Sequence, residues 1–174
     1  MAPNHKIFTS EQLNQTFKEI FKQTDRASAI VSSAILEEIL ERLLISFFVV
    51  HDHTKKDLFE GTAPISTMSA KINLSYHLGL LGEDEYKDLR LIKDVRNEFA
   101  HSFETINFET QRIKDKCLRL KTLMNTNPPK DLLESGNMNI KMFFQINTTM
   151  LASILFRNID RIEHLTEYKF KPEI

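Results

Sequence analysis

The segment from Ala27 to Val50, ASAIVSSAILEEILERLLISFFVV, constrains the fold more than any other stretch of the chain. Ala27, Ile30, Val31, Ala34, Ile35, Leu36, Ile39, Leu43, Leu44, Phe47 and Phe48 recur at helical spacing and form a wide apolar face. A helix of about 25 residues reaches roughly 37 Å. An element that long and that apolar is stable in water only when other helices cover it, so the segment predicts the central helix of a bundle. Thr24 or Asp25 can cap it.

The rest of the chain supplies the covering helices. Leu13, Phe17, Ile20 and Phe21 place a helix over residues 10–22, with Ser10 as its cap. The stretch HDHTKKDLFEGTAPIST, punctuated by Gly61 and Pro64, loses the helical period and reads as a long connection. A helix beginning near Thr67 or Ser69 carries Ile72, Leu74, Tyr76, Leu78 and Leu80 and ends at Gly82. Glu83, Asp84 and Glu85 suit the positive end of the next helix, whose inner face is Tyr86, Leu89, Ile92, Val95, Phe99 and Phe103. A fifth helix fits residues 110–124, with Ile113, Cys117, Leu118, Leu120 and Leu123. Two prolines in NTNPPKD end it. A last long helix covers about 139–165, with Met142, Phe143, Ile146, Met150, Leu151, Ile154, Leu155, Ile159 and Ile162 turned inward.

Composition agrees with helices. Among 174 residues there are 4 Gly and 5 Pro, too few for the turns of a sandwich or barrel. Thirteen Phe residues and a hydrophobic share of 41% exclude disorder as the main state. The expectation is an all-α bundle of about five to seven helices. It forms a single helical domain over 1–174, with a linker at about 125–137 before the last long helix. One cysteine, Cys117, excludes an internal disulfide and a Cys-rich zinc site. No apolar stretch reaches the roughly 20 residues of a membrane helix, and no signal-peptide pattern opens the chain. The expected setting is the cytoplasm.

The sharpest short motif is VRNEFAHS, Val95 to Ser102. Asn97 and His101 are four apart and share a helix face, whereas Arg96 and His101 stand roughly 140° apart around the axis. One straight helix does not converge Arg96 and His101 on a small group; two copies across a dimer axis would. As chemistry, the set suits phosphodiesters, since His moves a proton near neutrality and Arg grips a phosphate. Binding of a nucleotide or other small anion at Arg96 without turnover fits too. On spacing alone the structural reading of the same residues is favoured, because isolated short motifs match by chance. Val95 and Phe99 are core positions, Arg96 can pair with Glu98 or Asp94, Asn97 can satisfy backbone, and His101 can cap a helix end.

RNEFAH resembles the Arg-Asn…His motif of HEPN domains, small all-helical proteins that dimerise. In HEPN ribonucleases this motif forms a metal-independent RNA-cleaving site at the dimer interface. The resemblance therefore implies a HEPN-like fold, with catalytic roles for Arg96, Asn97 and His101. A longer resemblance is to bacterial proteins of the mannitol operon repressor family. Its carrying segments are DRASAIVSSAILEEILERLL (Asp25–Leu44), LFEGTAPISTMSAKINLSYHLGLL (Leu58–Leu81) and DLRLIKDVRNEFAHSFETINFE (Asp88–Glu109). This resemblance implies a transcriptional regulator; the expected homodimer rests on the likeness to dimerising helical proteins and on the apolar excess of the second and the last helix.

Direct DNA reading is not expected. The formal net charge is -1, Lys and Arg alternate with acids, and no recognition-helix pair is visible. Counterion release needs clustered cations. The leading reading is a regulator that acts through a protein partner; the alternative is a HEPN-type endoribonuclease, for which RNA is the substrate. Asp25 and Arg26 are further binding candidates, able to pair with the VRNEFAH helix or to cap their own. His51 and His53 resemble half of a metal site, but no third ligand is fixed by spacing, and a polar loop explains them as well. No cofactor or metal is called for by any motif. Cys117 reads as a small core residue.

Overall fold

The structure is a computed structural model that describes residues 10–123, 133–163 and 165–166. The side chains of Ser10, Leu13 and Asn14 lie outside that description, as do Met124 and most of the expected 125–137 linker. Seven helices and no strand are found among the described residues: α1 (Ser10–Ile20), α2 (Asp25–Phe47), α3 (Thr54–Leu58), α4 (Met68–His77), α5 (Glu83–His101), α6 (Gln111–Cys117) and α7 (Ile140–Ile159). None of them is long and apolar enough to cross a membrane.

α2 is the central helix. α7 packs along its length, and α5, α4 and α1 cover the rest of it. Ser28, Ala29, Ser32 and Ser33 are all buried on α2. Small side chains let a neighbouring backbone approach closely, while Leu36, Leu40 and Leu43 fill the wider part of the interface. Phe99, Phe108 and Phe144 form a contiguous aromatic cluster, with ring centroids 5.0 and 5.1 Å apart. Burying each such ring contributes about 1.5–3 kcal/mol. Polar side chains then fix register. Gln145 on α7 donates to the Ile20 carbonyl and to Ser28 Oγ, both at 3.0 Å.

Helix starts agree with the sequence. Thr24, Thr67 and Asn139 accept from the third residue on, at Ala27, Ala70 and Met142. Several other expectations are corrected. The connection after α2 contains a helix, α3, five residues long and so too short to show a period. It is held by the buried Phe59, which packs with Leu44 and Ile65 in a second, smaller cluster. α4 stops before the expected Gly82. Gly79, at φ +75, takes the left-handed position, and the Leu80 N–H returns to the Ser75 carbonyl at 2.9 Å. Gly82 instead precedes α5 as its N-cap.

α6 is shorter than 110–124 because a carboxylate intervenes. Asp88, fully buried on α5, accepts from the backbone N–H of Lys121 and Thr122 and from the Thr122 hydroxyl. Those N–H groups face a side chain on another helix rather than continuing α6. Asn147 on α7 accepts from the next one, Leu123, at 2.9 Å. α1 ends at Ile20 and leaves Phe21 exposed. Val31 and Met142 lie at the rim of the bundle and not in its core. α7 ends at Ile159, short of 165. The Leu165 N–H instead bonds the Phe47 carbonyl, at 2.9 Å, one of the groups left over at the end of α2.

Candidate functional site

α5 turns Asp88, Leu89, Ile92, Val95 and Phe99 into the core. Its opposite side, with α6 and the connection between them, forms a shallow groove of about 730 Å3. Asn97 and His101 line it one helical turn apart, together with Asp94, Glu98, Ser102, Phe103, Glu104, Arg112 and Lys116. Arg96 is not among the lining residues. α5 runs unbroken to His101, so the roughly 140° between Arg96 and His101 is kept. Arg96 donates instead to Asn97 Oδ1 at 3.0 Å. One chain therefore brings Asn97 and His101 together and leaves Arg96 outside.

The cations in the groove are already engaged. Glu98 accepts from Arg112 Nε at 2.9 Å and from Lys116 Nζ at 2.7 Å. The Lys116 hydrogen bond, with Arg112 beside it, holds the Glu98 carboxyl below the usual carboxylate range. A phosphate entering here would meet Asp94, Glu98 and Glu104 as well as the two bases.

Asp25 and Arg26 reach the end of the motif. Arg26 donates to the carbonyls of Ser102 (3.0 Å) and Glu104 (3.4 Å). Asp25 accepts from the Phe108 N–H at 3.1 Å and pairs with Lys141 at 3.2 Å. Neither touches the Arg96 or His101 side chain by these bonds; Thr24, not Asp25, caps α2. Between the two anchored ends stands Phe103, expected in the core and found fully exposed, with a relative accessibility of 107%. Its spacing from Phe99 continues a helical stripe, but the helix has ended at His101, and Ser102 turns the chain outward as C-cap.

His51 and His53 stack with ring centroids 5.8 Å apart, and His53 lies 3.7 Å from Asp57. No group of three or more metal-ligating side chains is found among the described residues. Cys117 is buried in the core, and that burial pushes its thiol up to about 12. Sequence reasoning missed Asp88 and Lys71. Lys71, only 5% exposed, pairs with Glu37 at 3.2 Å and Glu41 at 3.1 Å and so ties α4 to α2. The available signal was a charged residue at a core register position on each helix.

The family model described as "Mannitol repressor" matches residues 10–164. The chain belongs to the mannitol repressor family. Among its mannitol repressor relatives are the mannitol operon repressors of Escherichia coli K12 and of E. coli O6:H1. Each is 25% identical over 141 residues, covering 76% of this chain and 72% of the relative. Two solved structures share the fold. The MtlR–HPr complex from E. coli matches with a TM-score of 0.63 at 21% identity, covering 84% of this chain and 97% of the other. YggD from Shigella flexneri 2a, described as a possible transcriptional regulator, matches with a TM-score of 0.68 at 15% identity and the same coverage.

Proposed function

We propose that this mannitol repressor family protein is a cytoplasmic regulator that acts by holding another protein, with Phe103 and the adjoining groove as the contact surface. The observation that carries the proposal is a fully exposed Phe whose flanking backbone is fixed by Asp25 and Arg26. A rigidly presented aromatic beside a polar groove has the chemistry of an interface anchor. The MtlR–HPr complex among the structural neighbours supports a protein partner. The groove's cations are neutralised by Glu98, which disfavours direct DNA reading. Calorimetric titration with E. coli HPr tests this. The wild-type chain binds, and Phe103→Ala weakens binding by about tenfold or more with no loss of helical circular dichroism. Equal affinity in the variant removes the surface. A tight, sequence-specific gel shift by the protein alone removes the indirect mode of action.

The same reading includes a homodimer. Its candidate face is an apolar trough of about 440 Å3 lined by Ile30, Val31, Ala34, Ile35 and Phe156, with the Glu38–Arg42 pair at its edge. Val31→Glu should then convert a dimer to a monomer in light scattering; an unchanged mass rules out this face.

A second reading, a HEPN-type ribonuclease, is favoured by the shared groove position of Asn97 and His101. It needs Arg96 from a second copy. RNA cleavage in EDTA that disappears in both Arg96→Ala and His101→Ala would support it. Cleavage at wild-type level in both variants would exclude it.

A further inference from the structure

A second groove, of about 890 Å3, lies between the first half of α5 and the segment following α6. Its lining holds four basic side chains, Lys87, Arg90, Arg119 and Lys121, against one acid, Asp94. The whole chain has a net charge of -1, so this is a local concentration of cations. Two of the four are spoken for: Lys87 pairs with Glu83, and Lys121 with Asp84 at 3.2 Å. Asp94 in turn sits 3.4 Å from Lys93. Arg90 and Arg119 are exposed and make no ion pair with a described residue.

Arg90 is also held in place. Its guanidinium donates to Tyr86 Oη at 2.9 Å and lies over the Tyr86 ring, 5.5 Å from the centroid. Tyr86 is fixed from behind by stacking on Tyr76, with centroids 4.2 Å apart. A guanidinium held against a phenol needs no carboxylate to order it, and its remaining N–H donors stay open to solvent. Ordering in advance lowers the entropy lost when a ligand binds. Beside it, Leu118 exposes 40% of its surface, with the half-buried Leu91 adjoining.

We propose that this groove docks an acidic segment of a partner protein, with carboxylates on Arg90 and Arg119 and a large apolar side chain against Leu118. The proposal rests on the reading that the chain acts through protein partners. Bidentate Arg–carboxylate pairs around an apolar centre match Arg90, Arg119 and Leu118, while Asp94 stays beside Lys93. A single-stranded nucleic acid fits less well. It requires an open aromatic face for its bases, and one face of Tyr86 is covered by Tyr76 while Arg90 lies over the ring. Free phosphate would leave Leu118 in water.

The probe is a fluorescein-labelled peptide, Glu-Glu-Leu-Phe-Glu-Glu, followed by fluorescence anisotropy against the full chain. Binding to wild type should weaken as salt rises. It should fall about tenfold or more in the double variant Arg90→Glu, Arg119→Glu, whose helical circular dichroism stays that of wild type. A peptide with Lys in place of Glu should not bind. Neither inorganic phosphate nor an oligouridylate should displace the acidic probe at equal concentration. No binding to wild type, undiminished binding to the double variant, or preferential displacement by phosphate or oligouridylate each overturns the proposal. Phe103→Ala is carried through the same assay and keeps full affinity. Failure here while HPr binding still depends on Phe103 therefore overturns only this second surface.

Discussion

Asp88 gives the most exacting test of how this bundle is held together. Its carboxylate sits inside the protein, fully buried, and takes three donors: Thr122 N–H at 2.8 Å, Thr122 Oγ1 at 2.7 Å and Lys121 N–H at 3.0 Å. Burial pushes the Asp88 carboxyl above its ordinary range, while these donors pull it back, so part of the gain is spent on desolvation. Asp88→Ala removes the acceptor and strands the two Thr122 groups, themselves buried. A bond to a charged partner contributes about 1.5–3 kcal/mol, and a buried donor left unpaired costs about 1–3 kcal/mol. After the desolvation relief, a net loss of about 3–5 kcal/mol is expected. For a chain of this size that lowers the melting temperature by roughly 10 °C. Asp88→Asn retains one acceptor oxygen and should lose about 1–2 kcal/mol. Urea unfolding followed by far-ultraviolet circular dichroism measures both. An Ala variant within about 1 kcal/mol of wild type would show that the segment after α6 is held by apolar packing and that the hydrogen bonds are incidental.

Three further outcomes follow from other parts of the structure. Glu98→Gln should cost less than about 1 kcal/mol at neutral pH, since the pairs with Arg112 and Lys116 are partly exposed. Glu98 is depressed in the folded state. Its contribution is therefore present above the ordinary Glu value of about 4.3 and lost as pH falls through the lower folded value; a wild-type–variant gap that persists near pH 2 contradicts this. Cys117, buried and with its thiol near 12, should resist iodoacetamide in the native protein and react once urea unfolds it; mass spectrometry reads the difference. Lys71→Ala leaves Glu37 without its described partner and Glu41 with only Lys55, at 3.5 Å, so a loss of about 2–4 kcal/mol in urea unfolding is expected, and an unchanged midpoint contradicts it.

The long helices were legible because each repeats its apolar residues many times. α2, α5 and α7 average out local noise, and Thr24, Thr67 and Asn139 mark starts with a side chain that only a cap needs. α3 was not legible, since five residues hold barely one turn. The end of α4 turned on which of two nearby glycines takes a positive φ, and local spacing does not decide between Gly79 and Gly82. The early end of α6 depends on Asp88, some thirty positions away in sequence. The groove shows the same division. Asn97 and His101 were placed on one face by counting, and the separation of Arg96 followed from the same count. The neutralising of Arg112 and Lys116 by Glu98, and the exposure of Phe103, come from contacts that no window of sequence contains.

Two adjacent residues at the start of α2 clamp the chain at Ser102, Glu104 and Phe108, so the span between them is a short bridge on fixed piers. Its exposed crown bears little of the fold's weight. Phe103 and Thr105 can be exchanged for other side chains at small thermodynamic cost, because they leave solvent for nothing within their own chain. A lineage could thus retune what this crown recognises by point changes while the helices beneath stay as they are.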